Sequence, residues 1–189
     1  MNDLQNTFDA CSILYKKCYD NVKAMACDIA AALEEQGIDF DPKITAGKFD
    51  IVLQYSLLQI AVADFDFDVN EMIFIRDITE QGDFLNYVNS IAKTGITWDG
   101  LLNSSVNDIR KFLRDIEGEI EELSKEFVAV FAFCDKITQE YNYVADLEKN
   151  IVAILAGLMT MDGNITNNEV RTSTVIGRAI NKIKQLKKQ

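Results

Sequence analysis

Histidine is absent from all 189 residues, and proline occurs once, at Pro42. Without imidazole there is no His to complete a zinc site and none for general acid–base work. Nine glycines and one proline leave long stretches free of breakers. That pattern favours helices over many short strands. The longest apolar run falls well short of the roughly 18–20 residues that cross a bilayer. The first residues, Met1-Asn-Asp-Leu-Gln-Asn, have neither the basic nor the apolar region of a secretory signal, so a cytoplasmic location is expected. No nucleophile elbow and no phosphate-cradling glycine loop is present. An enzyme is therefore the weakest reading.

Four cysteines, Cys11, Cys18, Cys27 and Cys134, show no C-x-x-C spacing. Cys11 and Cys18 lie about 10 Å apart along one helix, too far for a disulfide. They are expected to serve as small buried hydrophobes. Charge is uneven. The net charge is −11, but Arg171, Arg178, Lys182, Lys184, Lys187 and Lys188 follow Glu169 with no acid among them. The first 169 residues thus hold 13 of the 19 basic residues against all 30 acids, a charge of −17. Such a body repels phosphate backbones, so no nucleic-acid partner is expected. The basic end complements a helix dipole or docks an acidic partner.

What is present is periodicity. Leu4, Phe8, Cys11, Tyr15, Cys18, Val22, Met25, Ile29 and Ala32/Leu33 step by four and three. This spacing predicts one long helix over 3–36, with Gly37 as its C-terminal cap. A second stripe, Val106, Ile109, Phe112/Leu113, Ile116, Ile120, Leu123, Phe127, Val130/Phe131 and Cys134, predicts a long helix within 103–140. Glu117, Glu119, Glu121, Glu122 and Glu126 fall on its solvated face. The two long helices can pair with one another or form the seam of a homodimer. Residues 38–47 read as a loop with a proline turn, 48–63 as a buried helix apolar all round, and 69–79 as another helix. A break at Gly82, a short helix over 84–92, a loop at 95–100 with Trp98 packed on the core, and a short turn at Asn142-Tyr-Val follow. Helices over 145–161 and 167–187 complete the chain. The expected fold is all-α, a helical bundle forming a single domain over 1–189.

Two stretches echo one another at an offset of 98 residues. An apolar helix ends at Asp64 or Asp162, an apolar residue follows at Phe67 or Ile165, and a glutamate stands at Glu71 or Glu169. Asp68-Val-Asn-Glu71 and Thr166-Asn-Asn-Glu169 both fit a capping box, which accounts for the glutamates and Asp68 by helix initiation alone. Capping does not account for Asp64 and Asp162, nor for Asp66. Asp64, Asp66 and Asp68 concentrate three carboxylates in five residues, chemistry suited to a hard cation such as Ca²⁺ or Mg²⁺. Neither stretch is an EF-hand, since Val69 stands where its glycine would be and Ile75 or Ser173 where its glutamate would be. Candidate metal ligands are Asp64, Asp66, Asp68, Glu71, Asp162 and Glu169. An acidic docking patch is the third alternative.

The stretches Ala61-Val-Ala63-Asp64-Phe-Asp-Phe67-Asp-Val-Asn-Glu71 and Asp162-Gly163-Asn-Ile165-Thr-Asn-Asn-Glu169 resemble the duplicated A-x-A-D-G-x-I-x-x-x-E motif of the TerB tellurite-resistance family. The likeness covers about 48–80 and 146–180, and the two long helices fall outside it. Phe65 replaces the motif's glycine in the first stretch, and Met161 replaces the alanine before the aspartate in the second. The resemblance implies an all-α fold with an internal duplication and acidic residues, here Asp64, Glu71, Asp162 and Glu169, that bind divalent cations. It also implies a role in stress-response or defence complexes rather than catalysis. The competing expectation is a helical adaptor or assembly protein whose acidic turns are only caps, binding a protein partner or a second copy through its long helices.

Overall fold

The computed structural model describes residues 2–79, 83–137 and 143–186. The break expected at Gly82, the turn at Asn142 and the basic residues Lys187 and Lys188 lie outside them. Among the described residues the chain forms eight helices and no strand: α1 (Asn2–Glu34), α2 (Pro42–Ala61), α3 (Val69–Ile78), α4 (Asp83–Ala92), α5 (Trp98–Leu102), α6 (Val106–Ile137), α7 (Tyr143–Leu158) and α8 (Asn167–Leu186). The fold is an all-α helical bundle.

The long first helix ends as its glycine predicts. Gly37 has φ +72°, and the N–H groups of Gly37 and Ile38 donate to the carbonyls of Glu34 and Leu33 at 3.0 Å each. This paired closure needs a left-handed residue, which glycine supplies without a Cβ clash. The seam of α1 is buried from Cys11 through Tyr15, Cys18, Val22 and Met25 to Ile29, while Leu4 is exposed. Its main partners are α7 and then α2, with α6 a lesser one. The seam is thus covered within the chain. Ile109, Leu113, Ile116, Ile120 and Leu123 of α6 are likewise buried, chiefly against α2. Glu117, Glu119, Glu121 and Glu122 are exposed, as their spacing requires. The side chains of Glu126, Phe127, Val130, Phe131 and Cys134 lie outside the described residues.

Helix α2 is the hub, packing on α1, α3, α4, α6, α7 and α8. It begins six residues earlier than the sequence suggests. Pro42 sits in its first turn, where a missing N–H costs nothing, and the Asp41 side chain accepts from Lys43 N–H at 2.8 Å. The proline starts a helix rather than a loop turn. The loop expected at 95–100 likewise contains the start of α5, capped by Thr97 accepting from Gly100 N–H at 3.0 Å. Trp98 packs beside Phe84, with ring centroids 6.4 Å apart. Two polar residues of α2, Asp50 and Gln54, are fully buried. Asp50 accepts from Tyr15 Oη at 2.9 Å, and Gln54 Nε2 donates to the Ile75 carbonyl at 3.1 Å. These bonds tie α2 to α1 and α3, although Gln54 Oε1 has no hydrogen-bond partner among the described residues.

The closest approach of α1 and α7 depends on a glycine. A Cβ added at Gly157 would collide with Cys11 Sγ and touch Thr7 and Phe74. In an unconstrained helix, Gly→Ala gains about 1 kcal/mol. Overpacking a core costs about 1–3 kcal/mol. Gly157→Ala is therefore expected to lower the melting temperature by several degrees, and Cys11→Ala in the same chain should restore most of the loss. Stabilisation by Gly157→Ala alone would contradict the packing.

Candidate functional site

Both acidic turns carry the same backbone device, built from the same offsets. Asp64 Oδ1 accepts from Asp66 N–H at 3.0 Å, and Asp162 Oδ1 accepts from Asn164 N–H at 2.8 Å. The residue after each aspartate is left-handed, Phe65 at φ +73° and Gly163 at φ +80°. These aspartates therefore stabilise the turn itself, a role that helix capping does not cover. Asp66 accepts from Phe67 N–H at 2.9 Å.

Each turn then closes on a capping box. Asp68 accepts from Asn70 and Glu71 N–H at 2.7 and 2.9 Å, and Glu71 Oε2 returns to accept from Asp68 N–H at 3.1 Å. In the second turn Thr166 Oγ1 accepts from Glu169 N–H at 3.2 Å, and Glu169 Oε2 accepts from Thr166 N–H at 2.7 Å. Reciprocal bonds of this kind satisfy orphan donors at the starts of α3 and α8. The apolar residue between aspartate and cap behaves differently in the two turns. Phe67 packs against the core, whereas Ile165 is exposed.

Burial separates the six candidate ligands into two groups. Glu71 and Glu169 are only 4% and 1% exposed. Asp64 and Asp68 are half-buried, and Asp66 and Asp162 are exposed. Desolvation raises the Glu71 carboxyl to about 8, against the opposing hydrogen bond from the Asp68 backbone. The negative charges of Asp68, Asp162 and Glu169 raise it further. Glu169 is also raised, by burial first and then by Asp64 and Asp162, while its bonds to Thr166 act the other way. Each buried glutamate thus feels carboxylates of the opposite turn, and the two turns share one electrostatic neighbourhood. Among the described residues, no group of three or more metal-ligating side chains is arranged to hold an ion. The all-oxygen donor set suits a hard cation, but its present arrangement is that of turn and cap acceptors.

Of the three cysteines in α1, Cys11 and Cys18 are buried as expected, whereas Cys27 is exposed. Burial raises both Cys11 and Cys18, the latter to about 12, so both remain thiols. Two features escaped the sequence reading. Burial of Glu71 and Glu169 was hidden because a capping glutamate ordinarily faces water. The left-handed Phe65 was signalled by its place opposite Gly163, where the motif asks for glycine. A bulky residue there stores about 1–3 kcal/mol of strain, and the Arg110 guanidinium lies 4.1 Å from its ring centroid.

Folded Glu71 keeps its proton up to about pH 8, against an ordinary value of 4.5. Between those limits the folded chain binds the extra proton, so this contribution to stability is complete below the ordinary value and disappears as pH rises through the folded one. The urea midpoint should therefore fall between about pH 5 and pH 8. Glu71→Gln, which retains the acceptor for Asp68 N–H, should show a shallower fall, and identical slopes would contradict the shift. Compared with protein-family models, curated proteins and solved structures, the chain matches none.

Proposed function

We propose that this chain is a non-enzymatic, TerB-like helical module that acts in a stress-response or defence complex. In this reading its duplicated acidic turns make one carboxylate seam that takes up a divalent cation, Ca²⁺ or Mg²⁺. What supports the reading is that the two turns are neighbours: Glu71 and Glu169 are raised first by burial, and further by Asp162 and Glu169 at Glu71 and by Asp64 and Asp162 at Glu169. A cation relieves repulsion of this sort, and carboxylate oxygens are its preferred donors. Asp64, Asp66 and Asp162 would hold it, each through the carboxylate oxygen that its turn does not use. Glu71 and Glu169 would stay behind the ion, each with an oxygen on its cap.

A second reading has an observation of its own. Both capping boxes are complete, and Asp64 and Asp162 already serve as turn acceptors. A helical adaptor needs nothing more from these residues. Its partner would bind the outer faces of the bundle, since the apolar seam of α1 from Cys11 to Ile29 and that of α6 from Ile109 to Leu123 are buried within the chain. No described helix is long and apolar enough to cross a membrane.

Thermal melting of metal-stripped protein separates the two. With millimolar Ca²⁺ or Mg²⁺ the module should melt several degrees higher than in chelator, by mass action on the folded state. The pair Asp64→Asn and Asp162→Asn should abolish the gain. A melting temperature unchanged in both metals would leave the turns as caps and favour the adaptor.

A further inference from the structure

On a chain of net charge −11, three arginines surround one open cavity of about 480 Å³. Arg110 and Arg114 come from α6, and Arg171 from the first turns of α8. Glu117 is the one carboxylate in the lining, which leaves it a formal charge of +2. The described ion pairs, Arg76–Asp77 and Lys125–Glu122, involve none of the three arginines. Arg110 Nη1 is shielded from solvent and has no hydrogen-bond acceptor among the described residues. A charged donor without an acceptor is costly to retain, and a bound anion is one explanation for keeping it.

The remaining wall is apolar. Val62, Leu113 and Val175 line it, and Phe65 closes one side with its ring against the Arg110 guanidinium, 4.1 Å from ring centroid to guanidinium carbon. Phe65 occupies a left-handed backbone position that the second turn fills with Gly163. Turn formation needs no side chain there. The strained aromatic instead holds Arg110 by a cation–π contact and gives the cavity a flat apolar face. Asn168 of the lining lies in the first turn of α8, where the helix dipole adds positive potential.

We propose that this cavity binds an organic phosphate monoester, its phosphate on the three arginines and its carbon body on Phe65, Val62 and Leu113. Planar guanidinium forks match the oxygens of phosphate in pairs. A dianion balances the +2 lining, which a monocarboxylate does not. The apolar wall favours a phosphate carried on carbon over the inorganic ion. The proposal needs no cation in the acidic turns, although Phe65 is flanked there by Asp64 and Asp66.

Calorimetric titration of the full chain with phenyl phosphate at pH 7.5 tests the proposal, with inorganic phosphate and benzoate titrated in parallel. Phenyl phosphate should saturate with a Kd of about 1 mM or tighter and bind roughly tenfold better than benzoate or inorganic phosphate. Arg110→Gln and Arg171→Gln should each weaken it by roughly tenfold, since each removes a charge-assisted contact. Phe65→Gly should keep or raise the melting temperature while weakening phenyl phosphate, an outcome that misfolding cannot imitate. Absence of saturation by 10 mM (roughly ten times the expected Kd) would overturn the proposal. So would equal affinity for benzoate, or arginine variants that bind as the parent does.

Discussion

Two buried carboxylates constrain this bundle. Glu71 and Glu169 are almost wholly removed from solvent, and burial of an ionised carboxylate is costly unless it is neutralised or bonded. Each is retained because it accepts the backbone N–H at the cap of its own helix. That bond secures the start of α3 or α8, so the glutamate cannot swing to water without releasing the helix. The residual cost appears as protonation, with Glu71 held neutral to about 8. Helix starts and core electrostatics are thus one problem with one solution.

The two turns share a backbone but differ in what they add to it. Each has an aspartate closing on the residue two ahead, a left-handed residue and a capping box. The second turn fills the left-handed position with Gly163. The first accepts strain at Phe65 and sets the ring against Arg110. One face of the first turn therefore contributes to the acidic seam, and the other to an arginine-lined cavity.

Much of this was legible before any coordinates. Gly37 announced the end of α1, the three-four stripes announced α1 and α6, and the capping boxes were readable as S/T/D-x-x-E. These are local signals, set within a few residues. What stayed hidden was set by distance along the chain. The stripe of α1 cannot say that α7 rather than α6 covers it, since any apolar stripe would serve. Pro42 fits a turn or a helix start equally well until Asp41 is seen to cap. Asp50 and Gln54 read as polar interruptions because their partners, Tyr15 and Ile75, lie on other helices. The arginine cavity draws on α2, α6 and α8 together, and no spacing rule reports that meeting.

The central claim is that the two turns form one electrostatic unit around their buried glutamates. Carbon-detected NMR titration of the Glu71 side-chain carboxyl, in the parent and in Glu169→Gln, tests it most directly. Glu71 should titrate near 8 in the parent and measurably lower once the charge of Glu169 is removed. Titration near the ordinary 4.5, unmoved by Glu169→Gln, would show that the turns are two separate caps and would contradict the account.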